Sequence, residues 1–191
     1  MAILLQKGES LTLKSDKQTE LAQIRVHLCW AERVSEGMDF DLDASAFLLD
    51  ENDRVRFDQD LVFYHQLRSL CRAVEHLGDN RVGGGDGETI RVDLHKLPIE
   101  IQKVVFTVTI HEGDERGQHF GLVDSASISL IDDADNGEIV RFNLSTQSRG
   151  VTAVVFAELY RDVAAWGFRA MGEGSDGGLT ALCHRYGLET R

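Results

Sequence analysis

The sequence is short of proline and cysteine. It has one proline, Pro98, in 191 residues, and three cysteines, Cys29, Cys71 and Cys183, with no Cys-x-x-Cys pair among them. So few thiols at such spacing exclude a disulfide-stapled scaffold. Seven histidines form no His-Glu-x-x-His motif and no Cys/His set, which excludes a zinc site of the usual ligand spacing. No run approaches the roughly 18 consecutive apolar residues of a membrane-spanning helix, so direct membrane insertion is not expected. No N-terminal stretch joins a basic region to an apolar run, so the expected location is cytoplasmic. Nor is any window strongly basic. With 32 Asp plus Glu against 20 Lys plus Arg and a formal charge of −12, nucleic acid is not an expected partner.

What is present is a 42% hydrophobic chain, rich enough in Val, Ile, Leu and Phe to fill a core, with its negative charge concentrated in places. Residues 36–60, 79–88 and 111–138 make up 63 positions and hold 20 of the 32 acids but only 4 of the 20 bases. The remainder is slightly basic. Clustered carboxylates repel one another and are costly to desolvate, so such clustering calls for a compensating cation or for solvated turns. The three acidic segments are expected to meet at one end of the fold.

The dominant periodicity is two residues, the mark of half-buried strands. Ile24, Val26, Leu28 and Trp30 alternate with Arg25, His27 and Cys29, and Leu42, Ala44, Ala46 and Leu48 alternate with Asp41, Asp43 and Ser45. Further strand-like runs cover 61–64, 89–94, 104–110, 125–131, 139–144, 151–160 and 165–170. Cys29 is expected in the core. Many short strands between turn signals, without strand-helix repetition, predict an all-β fold, an antiparallel β-sandwich. A short C-terminal amphipathic helix is expected from Leu179, Leu182, Cys183 and Tyr186, capped near Ser175 or Asp176 and ended by Gly187. A helical turn is expected around 95–99. No linker or internal repeat interrupts the pattern, and residues 1–191 are taken as one domain.

Three constellations carry candidate chemistry. Alternation places Asp39, Asp41 and Asp43 on one strand face about 7 Å apart, a spacing that suits a hard cation. An EF-hand is excluded, because Ala44 stands where its loop needs glycine and Asp50 where it needs a bidentate Glu. The second is 78–88, where Gly83, Gly84, Gly85 and Gly87 permit tight backbone approach while Asp79, Asn80, Asp86 and Glu88 offer oxygens. It is no phosphate fingerprint, because a strand rather than a helix follows it. In the third, Glu112 at the end of the 104–110 run closes an ion site or begins a turn. His111 beside it lacks a nucleophile motif and is read as a structural residue. Asp132, Asp133, Asp135 and Asn136 are read as hairpin-turn residues.

On these residues the sequence resembles the TerD family of tellurium-resistance and bacterial stress proteins. The shared motifs run in order along the chain: LxKGxxLxL (5–13), FDLDASAFLL (40–49), VFY (62–64), GDNR (78–81), GDGE (85–88), VTIHE (108–112), FGLV (120–123), ELYR (158–161), WxFRAMGEG (166–174) and GGLTALC (177–183). The resemblance implies a calcium-binding β-sandwich that takes part in an operon-encoded response to tellurite and chemical stress, with other stress-operon proteins as candidate partners. Carried over by position, Asp41, Asp43, Asp79, Asn80, Asp86, Glu88 and Glu112 are candidate Ca²⁺ ligands, with Asp39 second to them. The glycine loop is shorter here than is usual in the family and lacks its extra aspartates.

The favoured reading is a non-enzymatic calcium-binding stress protein with no catalytic residues. One alternative is a metal-dependent phosphoesterase that uses the same acids to position water. Another is a calcium-switched scaffold for membrane-associated or nucleotide-processing partners.

Overall fold

The computed structural model describes residues 2–13, 21–32, 40–79, 86–144, 150–162 and 165–189. Its strands, in chain order, are β1 (Ile3–Leu5), β2 (Ser10–Thr12), β3 (Gln23–Glu32), β4 (Leu42–Leu49), β5 (Leu61–Val62), β6 (Val74–Asp79), β7 (Asp86–Asp93), β8 (Lys103–Ile110), β9 (Val123–Asp132), β10 (Glu138–Asn143), β11 (Ala153–Arg161) and β12 (Trp166–Ser175). Two helices join them, α1 (Gly113–Arg116) and α2 (Gly178–Arg185).

The strands form two six-stranded sheets, β1-β10-β9-β3-β7-β6 and β2-β12-β11-β8-β4-β5. The expected all-β antiparallel sandwich with a C-terminal helix is the fold observed. Pairing is antiparallel throughout except at one edge, where β1 runs parallel to β10. The edge strands β1, β2 and β6 are absent from the sequence reading, because runs of three to six residues with exposed positions leave little period to detect. Residues 94–97 form turns rather than a helical turn, and Pro98 lies beside them in the β7–β8 connection. There its carbonyl accepts from the Ile101 N–H at 3.0 Å and from the Arg161 guanidinium at 3.0 Å.

Inward alternation builds the main core. Ile24, Val26, Leu28, Ile90, Val92, Ile128 and Leu130 from the first sheet meet Ala44, Ala46, Leu48, Val104, Phe106, Val108, Phe156 and Phe168 from the second. Cys29 is corrected here. It shares the outward parity of Arg25 and His27 on β3 and is half-buried on the outer face of the first sheet.

The second sheet is not half-exposed, as simple alternation predicts. α2 covers its outer face, and Leu182, Cys183 and Tyr186 pack on Phe47, Leu49, Leu61, Val105, Ala153 and Val155 as a second apolar cluster. Phe47 and Tyr186 have ring centroids 4.8 Å apart. The helix is capped from a distance: Thr152 Oγ1 accepts from the Gly178 N–H at 3.1 Å, and neither Ser175 nor Asp176 supplies a side-chain cap. It ends where Gly187 takes φ +89°, the left-handed conformation open to glycine. No described helix is long and apolar enough to cross a membrane.

Phe106 is fully buried between the sheets. Phe106→Ala is expected to lower unfolding stability by about 3–5 kcal/mol, the cost of removing a buried aromatic ring and leaving a cavity, as read from denaturant unfolding curves.

Candidate functional site

The three acidic segments meet through backbone pairing and one buried carboxylate. β4 and β8 place Leu42 opposite Ile110 and Asp43 opposite Thr109, and just beyond the ladder the His111 N–H donates to the Asp41 carbonyl at 2.8 Å. The Asp41–Asp43 segment therefore lies beside His111 and Glu112. The glycine-loop segment joins from the other sheet. Glu88 on β7 points inward, 4% exposed, and its Oε2 accepts from the Ala44 N–H on β4. That N–H is available because β5 pairs with β4 only at Ala46 and Phe47, which leaves the strand edge open at Ala44.

Glu88 Oε2 also lies 3.1 Å from Nε2 of His76, a histidine only 3% exposed. The Gly78 N–H donates to His76 Nδ1 at 3.1 Å, so Nδ1 is the acceptor and the ring proton sits on Nε2, directed at the carboxylate. A buried charge left without donors would cost several kcal/mol, and here two donors meet it. His76 is a contributor that sequence reasoning missed. Its signal was alternation with Val74 on the run leading into Gly78-Asp79.

Asp43 is half-buried, and its carboxyl is pushed up from 3.8 to about 6. Burial is the largest cause, the neighbouring charges of Asp41 and Glu88 come next, and His111 and His76 oppose them. Asp43, His111, Glu112 and Asp114 open on one cleft of about 370 Å³, closed on its other side by Tyr64, Thr152 and the first turn of α2. The Tyr64 hydroxyl is raised too, first by burial and then by Asp43 and Asp41, so phenol and carboxylates share one electrostatic environment. Glu112 sits at φ +51°, where the chain turns from β8 into α1, and its carboxylate is about half exposed, 3.7 Å from His111 Nε2 and 3.8 Å from Arg116 Nε.

The remaining candidates divide. Asp79 lies opposite Glu88 in the β6–β7 ladder and Asp86 opposite Trp30 in the β3–β7 ladder, so their backbones belong to this end of the sandwich. Their side chains, together with Asp39, Asn80 and Gly83–85, fall outside the described residues. The distal acids of the third segment do not join the site. Asp132–Glu138 forms the β9–β10 hairpin, where Asp132 Oδ1 accepts from the Ala134 N–H at 2.9 Å and Arg25 Nε lies 2.6 Å from Asp133. Asp132 pairs with Ile24, at the end of β3 remote from Trp30 and Asp86.

The donors carried by these segments are carboxylates, the ligand type of a hard divalent cation, and a positive charge nearby would oppose the burial and the Asp41 and Glu88 charges that raise Asp43. Among the described residues, no three His, Cys, Asp or Glu side chains stand close enough to hold an ion by themselves. The set on Asp41, Asp43 and Glu112 is thus partial, and a full shell of roughly 6–8 oxygens draws on the glycine loop as well.

A family model described as TerD domain matches residues 1–186. The chain is 43% identical over 190 residues to "Tellurium resistance protein TerD" of Serratia marcescens, covering 98% of each chain. It is 37% identical over 192 residues to "General stress protein 16U" of Bacillus subtilis, covering 99% of each. A solved structure of a homologue of telluride resistance protein from Streptomyces coelicolor A3(2) shares the fold, with a TM-score of 0.65 at 23% identity over 85% of this chain and 95% of that one.

The raised Asp43 carboxyl predicts a pH dependence with a definite sign. Between about 4 and 6 the folded state holds a proton that the unfolded chain releases, so this contribution to stability is full at low pH and lost as pH rises through about 6. The rise corresponds to about 3 kcal/mol for a fully buried group, and solvent screening at a half-buried carboxyl reduces it to about 1 kcal/mol. In chelator, Asp43→Asn is expected to match wild type near pH 4 and to melt about 2–4 °C higher at pH 7.5 by calorimetry.

Proposed function

The chain belongs to the TerD family of tellurium-resistance and stress-response proteins, and on that premise we propose that it is a non-enzymatic, calcium-binding stress protein that contributes to resistance against tellurite and other chemical stress. The observation that carries this reading is the meeting of three separate acidic segments at one end of the sandwich, held by the β4–β8 register and the Glu88–Ala44 bond. Asp41, Asp43 and Glu112, with Asp79, Asn80 and Asp86 from the glycine loop, are the residues that would hold calcium. When bound, calcium supplies positive charge that offsets carboxylate repulsion.

The chain's own residues set the terms of that binding. Glu88 has Oε2 engaged twice, so coordination by this residue is left to Oε1, and its main part is to fix the open edge of β4 next to Asp43. Asp43 would hold the ion in its ionised form, so protons would compete with calcium for it below about pH 6. Ligands drawn from β4, the β6–β7 loop and the β8–α1 junction are far apart in sequence, so an ion joining them stabilises the tertiary arrangement rather than one local loop. The same surface, neutralised in part, is where other stress-operon proteins would dock, in the cytoplasm.

Titration of Ca²⁺ into chelator-treated protein is expected to show saturable heat. At a hundredfold excess over Kd the ion should stabilise the fold by about 2.7 kcal/mol. Asp41→Asn and Asp43→Asn should each weaken binding by tenfold or more, roughly 1.4 kcal/mol, and lower tellurite tolerance when they replace wild type in a resistant strain. Absence of heat, together with an unchanged melting temperature in Ca²⁺, would sink the reading. His111 opening on the same cleft favours the hydrolytic alternative. A screen of aryl phosphomonoesters and phosphodiesters with Mg²⁺, Mn²⁺ and Ca²⁺ is expected to show no turnover, and turnover abolished by Asp43→Asn would replace a binding function with a catalytic one.

A further inference from the structure

The outer face of the first sheet carries a second cluster of reactive groups, turned away from the interior carboxylate of Glu88. Strand register sets two adjacent rows across it: Thr89, His27, Ser129 and Arg141 in one, and Gly87, Cys29, Ser127 and Asn143 in the next. Cys29 Sγ lies 2.7 Å from His27 Nε2, and His27 Nδ1 lies 3.0 Å from Thr89 Oγ1. With Nδ1–H donating to the threonine hydroxyl, Nε2 is left as the acceptor and the thiol proton is directed at it. A nucleophile, a base and a group that orients the base thus stand in hydrogen-bonded sequence, the arrangement that activates thiols and hydroxyls in covalent chemistry.

Both members of the pair rest uncharged. Burial pushes the Cys29 thiol up, with Arg141 acting against it, while burial, Arg141 and Arg25 push His27 down. The resting group is a neutral thiol beside a neutral base, so its reactivity depends on proton transfer to His27 rather than on a standing thiolate. Gly87 permits the arrangement. A side-chain carbon there would lie 2.5 Å from the Leu28 carbonyl oxygen and 3.3 Å from His27 Cε1, so only glycine lets β7 approach this closely.

The other thiols lack these features. Cys183 is buried on the sheet-facing side of α2, and Cys71 is half-buried with Ser69 Oγ at 3.4 Å.

We propose that Cys29 is a base-assisted thiol-exchange site that forms a mixed disulfide with low-molecular-weight disulfides bearing carboxylates. In the step, Cys29 Sγ attacks one sulfur of the disulfide, the S–S bond breaks, and the departing sulfur takes the electron pair. The Cys29 proton passes to His27 Nε2 and then to the leaving thiolate. Cys29 sulfur is oxidised and the departing sulfur reduced, so the exchange balances without another oxidant. Arg141, held on one side by Glu138 at 2.7 Å, supplies the positive charge that selects a carboxylate-bearing partner. Such a site would let the protein register the disulfide load that accompanies chemical stress.

The test uses the full reduced chain with glutathione disulfide, followed by peptide mass mapping. Cys29 is expected to be modified before Cys71 and Cys183. His27→Gln is expected to slow Cys29 modification roughly tenfold or more, because general-base assistance is removed, and Thr89→Val to slow it in the same direction. Arg141→Gln also changes the charge felt by Cys29 and His27, so the readout is the ratio of rates: it should slow reaction with glutathione disulfide more than with the uncharged bis(2-hydroxyethyl) disulfide. Unfolding midpoints confirm that the variants fold, and the order of modification in wild type needs no variant at all. Cys71 reacting ahead of Cys29, or His27→Gln in a folded protein reacting at the wild-type rate, would overturn the proposal. Equal effects of Arg141→Gln on both disulfides would overturn the selection of carboxylates.

Discussion

A carboxylate sealed between two sheets has to be met by donors, and the acidic end of this sandwich is organised around that requirement. Glu88 Oε2 takes the Ala44 N–H left open where β5 stops short and faces the Nε2–H of His76. These contacts tie β6 and β7 of one sheet to β4 of the other, and β4 carries Asp41 and Asp43. The buried charge also acts on its neighbours. Together with burial and Asp41 it holds Asp43 near half-protonation at about pH 6. One interaction therefore both orders the acidic end and leaves it short of positive charge.

The second organising feature is α2. It covers one face of the second sheet with Leu182, Cys183 and Tyr186 and begins at Gly178, where Thr152 receives the first N–H. Because the helix starts there, Asp43 stays partly exposed on the floor of a cleft instead of being fully buried like Phe47 and Leu49 further along. Packing by the helix and exposure of the acids are thus two consequences of one boundary.

Much of this was legible in the sequence because period two is a strong signal in long strands. β3, β8 and β9 could be read from Ile24-x-Val26-x-Leu28 and similar runs, and the DLD and VTIHE segments, expected only to share one end with the glycine loop, lie side by side through the β4–β8 pairing. What alternation could not show was a second layer. A strand buried on both faces, as β4 is from Ala44 to Leu49, reads as half-exposed until the covering helix is known. It also could not show cross-strand pairs. His27 and Cys29 are two residues apart and share a face, but the third member, Thr89, arrives from a strand 60 residues later, so the sequence reading placed Cys29 in the core and found no thiol–base pair. Asp132, Asp133, Asp135 and Asn136 are rightly read as hairpin-turn residues, and only the charge count over 111–138 is too broad, since a ten-residue strand carries its far end to the other pole of the sheet.

The −12 net charge is accordingly divided among hairpin turns at one pole, ion pairs such as Arg25–Asp133, and carboxylates brought to the other pole, where we propose that a cation binds. The most direct test of that last assignment is an NMR titration of the Asp43 side-chain carboxyl carbon, first in chelator and then in saturating Ca²⁺. The predicted result is a midpoint near 6 without the ion, falling well below that when the ion is present. A midpoint in the ordinary carboxylate range without calcium, or one that calcium leaves unmoved, would contradict the account.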